Sequence, residues 1–225
     1  MARKDIKLST EEKIINKVSE VVVSKKRLII IIAAAVVAVA LAVVIVTASV
    51  SSAYEKKMIA IADLEARYNT LAENEEHDSD EYVTEFNALT SELDAYVKDS
   101  KYASVKALYL KGLVYADAEK WAEGYDDFKQ AYELNPTIYL APVCLLNAGV
   151  CAEEKGDADA ALEMYNKVSE CSTVSGIAAK AMFSAGRIYM DKGNTALAKA
   201  TFQSVIDNYY NSEYAALAEN IVSVM

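Results

Sequence analysis

Residues 149–168 read GVCAEEKGDADAALEMYNKV, and the fold follows from how this stretch recurs. It has the form of a helix end, a short turn and a second helix. The first helix, helix A, runs to about Lys155. Gly156-Asp157 follows, with a glycine where a helix end asks for positive φ. Helix B then carries Ala161, Leu162, Tyr165 and Val168 at the three- and four-residue spacing of an amphipathic helix. The pattern recurs without gaps at a period of 37 residues: Gly112, Gly149 and Gly186; Leu108, Leu145 and Met182; Phe128, Tyr165 and Phe202; Ala131, Val168 and Val205. Gly156 and Gly193 keep the same step, and Glu119 holds the equivalent place in the first unit. A fixed period of this size denotes an array of supersecondary units stacked on one another.

The residues resemble the tetratricopeptide repeat family. That pattern has Leu-Gly-x-x-Tyr in helix A, then small, aromatic and small residues in helix B, then Pro. The first unit reads Lys111-Gly112-Leu113-Val114-Tyr115, then Gly124, Phe128, Ala131 and Pro136; the third gives Gly186, Tyr189, Gly193, Ala198 and Phe202. The resemblance implies an all-α, right-handed solenoid of helix pairs. Its small residues let helices A and B approach closely, and its aromatics fill the gap between neighbouring units. The period is three residues longer than the family's 34, which points to extended turns between units.

Outward from the three repeats, over 102–213, the chain divides as follows. Asp99-Ser100-Lys101-Tyr102-Ala103 is mirrored by Asn211-Ser212-Glu213-Tyr214-Ala215, which suggests a degenerate helix pair over 51–101, with helices at about Tyr54–Glu73 and Asp80–Lys98. Residues 214–225 read as a C-terminal capping helix, since a solenoid needs its last apolar face covered. Upstream, Leu28 to Val46 is nineteen residues without a polar side chain. At about 1.5 Å per residue that is roughly 28 Å of helix, close to the hydrocarbon thickness of a bilayer. The segment 28–50 is therefore expected to be a transmembrane helix. Residues 1–27 carry net +4, against −14 for the rest of the chain after the span. By the positive-inside rule the basic arm 1–27 is cytoplasmic and the repeat domain extracytoplasmic. A cleaved signal peptide is the competing reading, with small residues at Val46-Thr47-Ala48 and Ser51-Ser52-Ala53, but both the leader and the apolar run are long for that pattern. Within the arm, Ser9-Thr10-Glu11-Glu12 reads as a capping box, and Ile14, Ile15, Val18, Val21 and Val22 form an apolar stripe flanked by Lys13, Lys17 and Lys25. That helix either lies in the membrane interface or continues the span.

Chemistry is sparse. Glu73 to Glu81 is the most charged stretch, but as a calcium loop built on Asp78 and Asp80 it lacks the required glycine and distal glutamate. His77, the single histidine, has no His or Cys partner nearby. Cys144, Cys151 and Cys171 read as small buried hydrophobes, and any disulfide has to involve Cys171. There is no HExxH, no GxSxG and no glycine-rich phosphate loop. The sequence therefore points to a binding scaffold and away from an enzyme, with no cofactor, metal ion or small-molecule substrate. The acidic outer domain argues against nucleic acid.

The fifteen tyrosines fall largely at packing positions such as Tyr115, Tyr165 and Tyr189. Binding is expected from helix-A residues which, by resemblance to the family, line the concave side. They are Lys106, Tyr109, Leu110 and Leu113; Val143, Leu146, Asn147 and Val150; Lys180, Phe183, Ser184 and Arg187. Of these, Tyr109, Leu113, Leu146, Asn147, Val150, Phe183 and Arg187 are the candidate protein-binding residues. The set suits an extended or helical peptide and departs from the Lys/Asn/Arg clamp that holds chaperone carboxylates in some relatives. The layout of basic arm, single span and outer repeat domain also resembles the ancillary inner-membrane subunits of the bacterial protein-export translocon. That resemblance implies periplasmic chaperones or exported chains as partners. A structural scaffold in a secretion or motility apparatus is the alternative.

Overall fold

The computed structural model describes residues 9–74, 76–98, 101–171 and 175–225. Residues 1–8 of the basic arm, Glu75 of the acidic stretch and Asp99-Ser100 of the mirrored motif lie outside the described residues, as do the side chains of Glu12, Val21 and Val22. The described residues form helices and turns, with no strand among them. In order the helices are α1 (Thr10–Ser24), α2 (Lys26–Ala72), α3 (Asp80–Asp94), α4 (Tyr102–Asp117), α5 (Trp121–Leu134), α6 (Ala141–Glu154), α7 (Ala158–Cys171), α8 (Ser175–Asp191), α9 (Thr195–Asn208) and α10 (Glu213–Val224). The chain divides into two units, Met1–Glu55 and Lys56–Met225.

In the first unit, α1 is followed by a single turn residue, Lys25, and by the start of α2. The apolar stretch of α2 is long and apolar enough to cross a membrane, and no part of its most apolar window is buried within the chain. A core helix of a soluble domain buries such a surface; this one is uncovered among the described residues.

The second unit is a stack of helix pairs, each helix packed against its sequence neighbour from α3 to α10, with further contacts between α6 and α8 and between α8 and α10. The glycine period has a direct geometric cause. A Cβ on Gly112 would lie 2.8 Å from Phe128 Cδ1, one on Gly149 would lie 2.6 Å from Tyr165 Cδ1, and one on Gly186 would lie 2.9 Å from Phe202 Cδ1. Each helix-A glycine is thus roofed by the helix-B aromatic of its own unit. Phe128 and Tyr165 also belong to one core with Leu145, Ala181, Ala185 and Ile188 of adjacent units. At Gly124 a Cβ would stand 3.3 Å from the Gly112 carbonyl oxygen, and the equivalents Ala161 and Ala198 are fully buried. Small residues at this position let the two backbones of each pair approach.

Each A–B turn is closed in the same way. Lys120 N donates to Tyr115 O, Asp157 N to Ala152 O and Asn194 N to Tyr189 O, the six-to-one bond of a Schellman helix end. The residue before each donor has positive φ: Glu119 at 56°, Gly156 at 83° and Gly193 at 72°. In the second and third units the next residue caps helix B, Asp157 Oδ1 accepting from Ala160 N and Asn194 Oδ1 from Leu197 N. Lys120 makes no such bond, and its ammonium sits 4.2 Å over the Phe86 ring on α3. Glu119 bears the left-handed strain that glycine avoids. Glu119→Gly is therefore expected to stabilise the chain by about 1 kcal/mol, and Gly156→Ala to destabilise it by a similar amount, in chemical denaturation.

The within-unit turns are short, whereas residues 135–140 link the first pair to the second. Part of the period's excess over 34 resides there. Helix α3 stops at Asp94, earlier than Lys98. Ala95 N and Tyr96 N tighten to i−3 carbonyls, and Ser104 Oγ at the start of α4 donates to Tyr96 O at 2.6 Å. At the other end of α3, Ser79 caps the helix by accepting from Tyr82 N, and Asp80 and Glu81 in the first turn favour the positive end of its dipole. His77 stacks on Tyr82 at 4.6 Å. Among the described residues no group of His, Cys, Asp or Glu is arranged to hold a metal ion. Cys144 and Cys151 are buried free thiols, both pushed up to about 12 by burial. Cys171 corrects the sequence reading: it is exposed, at the end of α7.

Candidate protein-binding surface

The A helices of the stack are α4, α6 and α8, and residues 56–72 of α2 pair with α4. Lys106 on α4 is ion-paired with Glu65 on α2, and Tyr68 of α2 donates to Asp117 Oδ2 at 2.7 Å. Arg67 holds α2 to α3 through Glu85 at 2.7 Å and Glu92 at 2.9 Å. These joins were not evident in the sequence, because α2 precedes the regular repeats and shares none of their glycine–aromatic signature.

Along the row the candidate residues take different environments. Tyr109 is half-buried, its ring 5.8 Å from Phe128 and under the Lys106 ammonium. Burial raises its hydroxyl pKa, opposed by a hydrogen bond from Asn147 in the next unit. Leu113 and Val150 are half-buried and pack on the central core around Leu145, Tyr165 and Ala185. Leu146 departs from expectation. It is 7 % exposed and belongs to that core. Leu110 and Ser184 are buried too, and so are removed from the expected lining. The structure therefore leaves Tyr109, Leu113, Asn147 and Val150 half-buried and takes Leu146 into the core.

Phe183 and Arg187 are also more engaged than their spacing indicated. The Phe183 ring lies 5.4 Å from Phe202 and 5.6 Å from Tyr214 of α10. Arg187 donates to Glu153 Oε1 at 2.6 Å, and the opposite oxygen of Glu153 accepts from the Tyr165 hydroxyl at 2.8 Å. The Arg187 contact ties α8 directly to α6, and the Tyr165 hydroxyl of α7 holds the other oxygen of the same carboxylate. Burial, together with the bond to Glu153, raises the Tyr165 pKa. Arg187 keeps 43 % of its side chain exposed and can still reach a partner. Both side chains therefore contribute to the fold as well as to the surface. Phe183→Ala is expected to cost about 2 kcal/mol, since it empties a three-ring contact. Arg187→Ala, breaking a partly exposed pair, is expected to cost about 1 kcal/mol or less. Thermal melts of the two variants measure the difference.

The geometry defines a repeat scaffold of paired helices with a mixed apolar and polar A-helix row. The tetratricopeptide repeat family model matches residues 143–170 and 180–212, which fall on the pairs α6–α7 and α8–α9. The pair α4–α5 shares the glycine–aromatic contact but lies outside the matched segments. None of the curated proteins matches the chain. The matched family is a repeat that mediates protein–protein contact and not a catalytic family.

Proposed function

We propose that the chain is a membrane-anchored scaffold that binds polypeptide segments along its A-helix row, outside the cytoplasm and beside a protein-export channel where chaperones and exported chains pass. The observation that carries this reading is the row itself. Tyr109, Leu113, Val150 and Phe183 are apolar and only half-covered, and Asn147 and Arg187 lie among them with polar atoms to offer a backbone or carboxylate. Apolar groups gathered on one surface mark interaction sites, and aromatic and arginine residues dominate binding hot spots. The uncovered apolar stretch of α2 supports anchoring, and the +4 arm against the −14 remainder supports an extracytoplasmic repeat domain.

Photo-cross-linking from an unnatural amino acid at Tyr109, Asn147 and Phe183 in the membrane-anchored chain tests the binding surface. Adducts with many exported chains are the expected result. A single discrete adduct with a ring or basal-body component supports a scaffold in an envelope machine instead. Adducts confined to the B helices overturn the A-row assignment. A C-terminal alkaline phosphatase fusion is expected to be active; an inactive one reverses the topology and removes the export-channel reading with it.

A further inference from the structure

Helix α1 carries an apolar face that nothing in the described chain covers. Ile14, Ile15 and Val18 are 59 %, 65 % and 57 % exposed, and they fall within one sector of a 3.6-residue helix. Exposed Lys13 and Lys17 stand outside that sector, and Lys25, Lys26 and Arg27 follow at its C-terminal end. The helix is interrupted at Lys25, so α1 is an element distinct from α2. It is unsuited to extend the span, because Glu11, Lys13, Asn16 and Lys17 would enter the hydrocarbon. Left in water, it would keep its isoleucines and valine solvated.

The geometry points to α1 as a binding surface for anionic lipid headgroups, lying in the plane of the membrane with Ile14, Ile15 and Val18 at the headgroup–acyl boundary and Lys13 and Lys17 among the phosphates. Two features name the membrane as the occupant. Residues 10–27 hold five Lys/Arg against three Glu, a net positive charge that suits an anionic leaflet, and the apolar stretch of α2 begins within a few residues of the end of α1, so a bilayer crossed by α2 is within reach at high effective concentration. This inference rests on the reading that α2 spans a membrane.

The test places a single tryptophan as a depth probe in the full-length chain. The chain has one tryptophan, so Trp121→Phe clears the background, and Val18→Trp or Val36→Trp then reports from α1 or from mid-span. Each variant is reconstituted into nanodiscs of phosphatidylcholine alone or mixed with phosphatidylglycerol, and quenched by lipids brominated near the carbonyl or near the chain end. For Val18→Trp the expected result is blue-shifted emission with shallow-bromine quenching that strengthens with phosphatidylglycerol, and Lys13→Glu with Lys17→Glu abolishes that strengthening. Water-like emission in both lipids overturns the proposal, and so does deepest quenching by chain-end bromines, which would make α1 part of the span. Val36→Trp separates the two readings. If it is quenched by chain-end bromines while Val18→Trp stays water-like, α2 spans and only the α1 assignment fails. If Val36→Trp itself is unquenched, α2 does not insert and both readings fall.

Discussion

Gly149→Leu is expected to destabilise the repeat domain by about 3 kcal/mol, lowering its melting temperature by roughly 6–12 °C. The cause is local. A Cβ at position 149 would stand 2.6 Å from Tyr165 Cδ1 and 2.9 Å from Cζ. The tyrosine ring cannot swing away freely, because it is almost wholly buried and its hydroxyl is held by Glu153. Glu153 in turn holds Arg187, so moving the ring disturbs the join between the second and third units. Melting followed by circular dichroism on the detergent-solubilised chain measures the effect. Gly176→Ala is the control, since a Cβ there meets nothing within 4 Å, and it is expected to be neutral. Adding Tyr165→Ala to Gly149→Leu should cost less than the sum of the two single changes, because the small residue vacates the space the leucine needs. A melting curve unmoved by Gly149→Leu would falsify the glycine–aromatic account of the repeat.

Asp127→Asn is expected to stabilise the chain at neutral pH by about 2 kcal/mol. Asp127 on α5 is 7 % exposed, and its Oδ2 has no hydrogen-bond partner. Lys111 approaches its Oδ1 at 3.5 Å but makes the shorter contact, 2.8 Å, with Asp94 of α3. The lysine is thus shared, and the buried carboxylate is the less compensated of its two partners. Burial pushes Asp127 up from 3.8 to about 6, with Lys111 opposing and Asp94 and Asp126 adding to the rise. The folded state therefore keeps a proton that the unfolded state has already released. Stability contributed by this group is present below about pH 4, declines as pH rises towards 6, and is lost above it. Asparagine removes the ionisation, so the advantage of the variant over the parent should grow between those pH values and then level off. Urea melts at several pH values measure that difference. A variant less stable than the parent at neutral pH would show that the Lys111 pair outweighs the burial penalty.

How much was legible beforehand depends on the scale of the question. The helix pairs were readable because their cause is local and repeated. A glycine under an aromatic sixteen residues later needs the same two residue types in every unit, and the 37-residue step follows from Gly112, Gly149 and Gly186 alone. The nineteen-residue apolar run was readable for a similar reason, since length and composition suffice to recognise it. Glu119 could be singled out as the odd residue at a glycine position, though only the backbone showed that it adopts the glycine conformation.

The environment of the candidate surface was not readable. Helical spacing says which side of a helix a residue occupies; it does not say what a neighbouring helix lays over it. Leu146 and Tyr109 hold equivalent places in successive units, yet one is buried and the other half-covered. Phe183 is half-covered, packed on one side by Tyr214 of α10, and Arg187 is paired with Glu153 of the preceding A helix. The same holds for Asp127, an ordinary acidic residue on an amphipathic helix until Lys111 and Asp94 converge on it. By itself the sequence determined the repeat unit, its register and the apolar segment, because these rest on short-range sterics and on burial patterns periodic in the chain. Only the tertiary structure decided which side chains remain for a partner, because that depends on contacts between helices some thirty to forty residues apart, whose pairing no local pattern encodes.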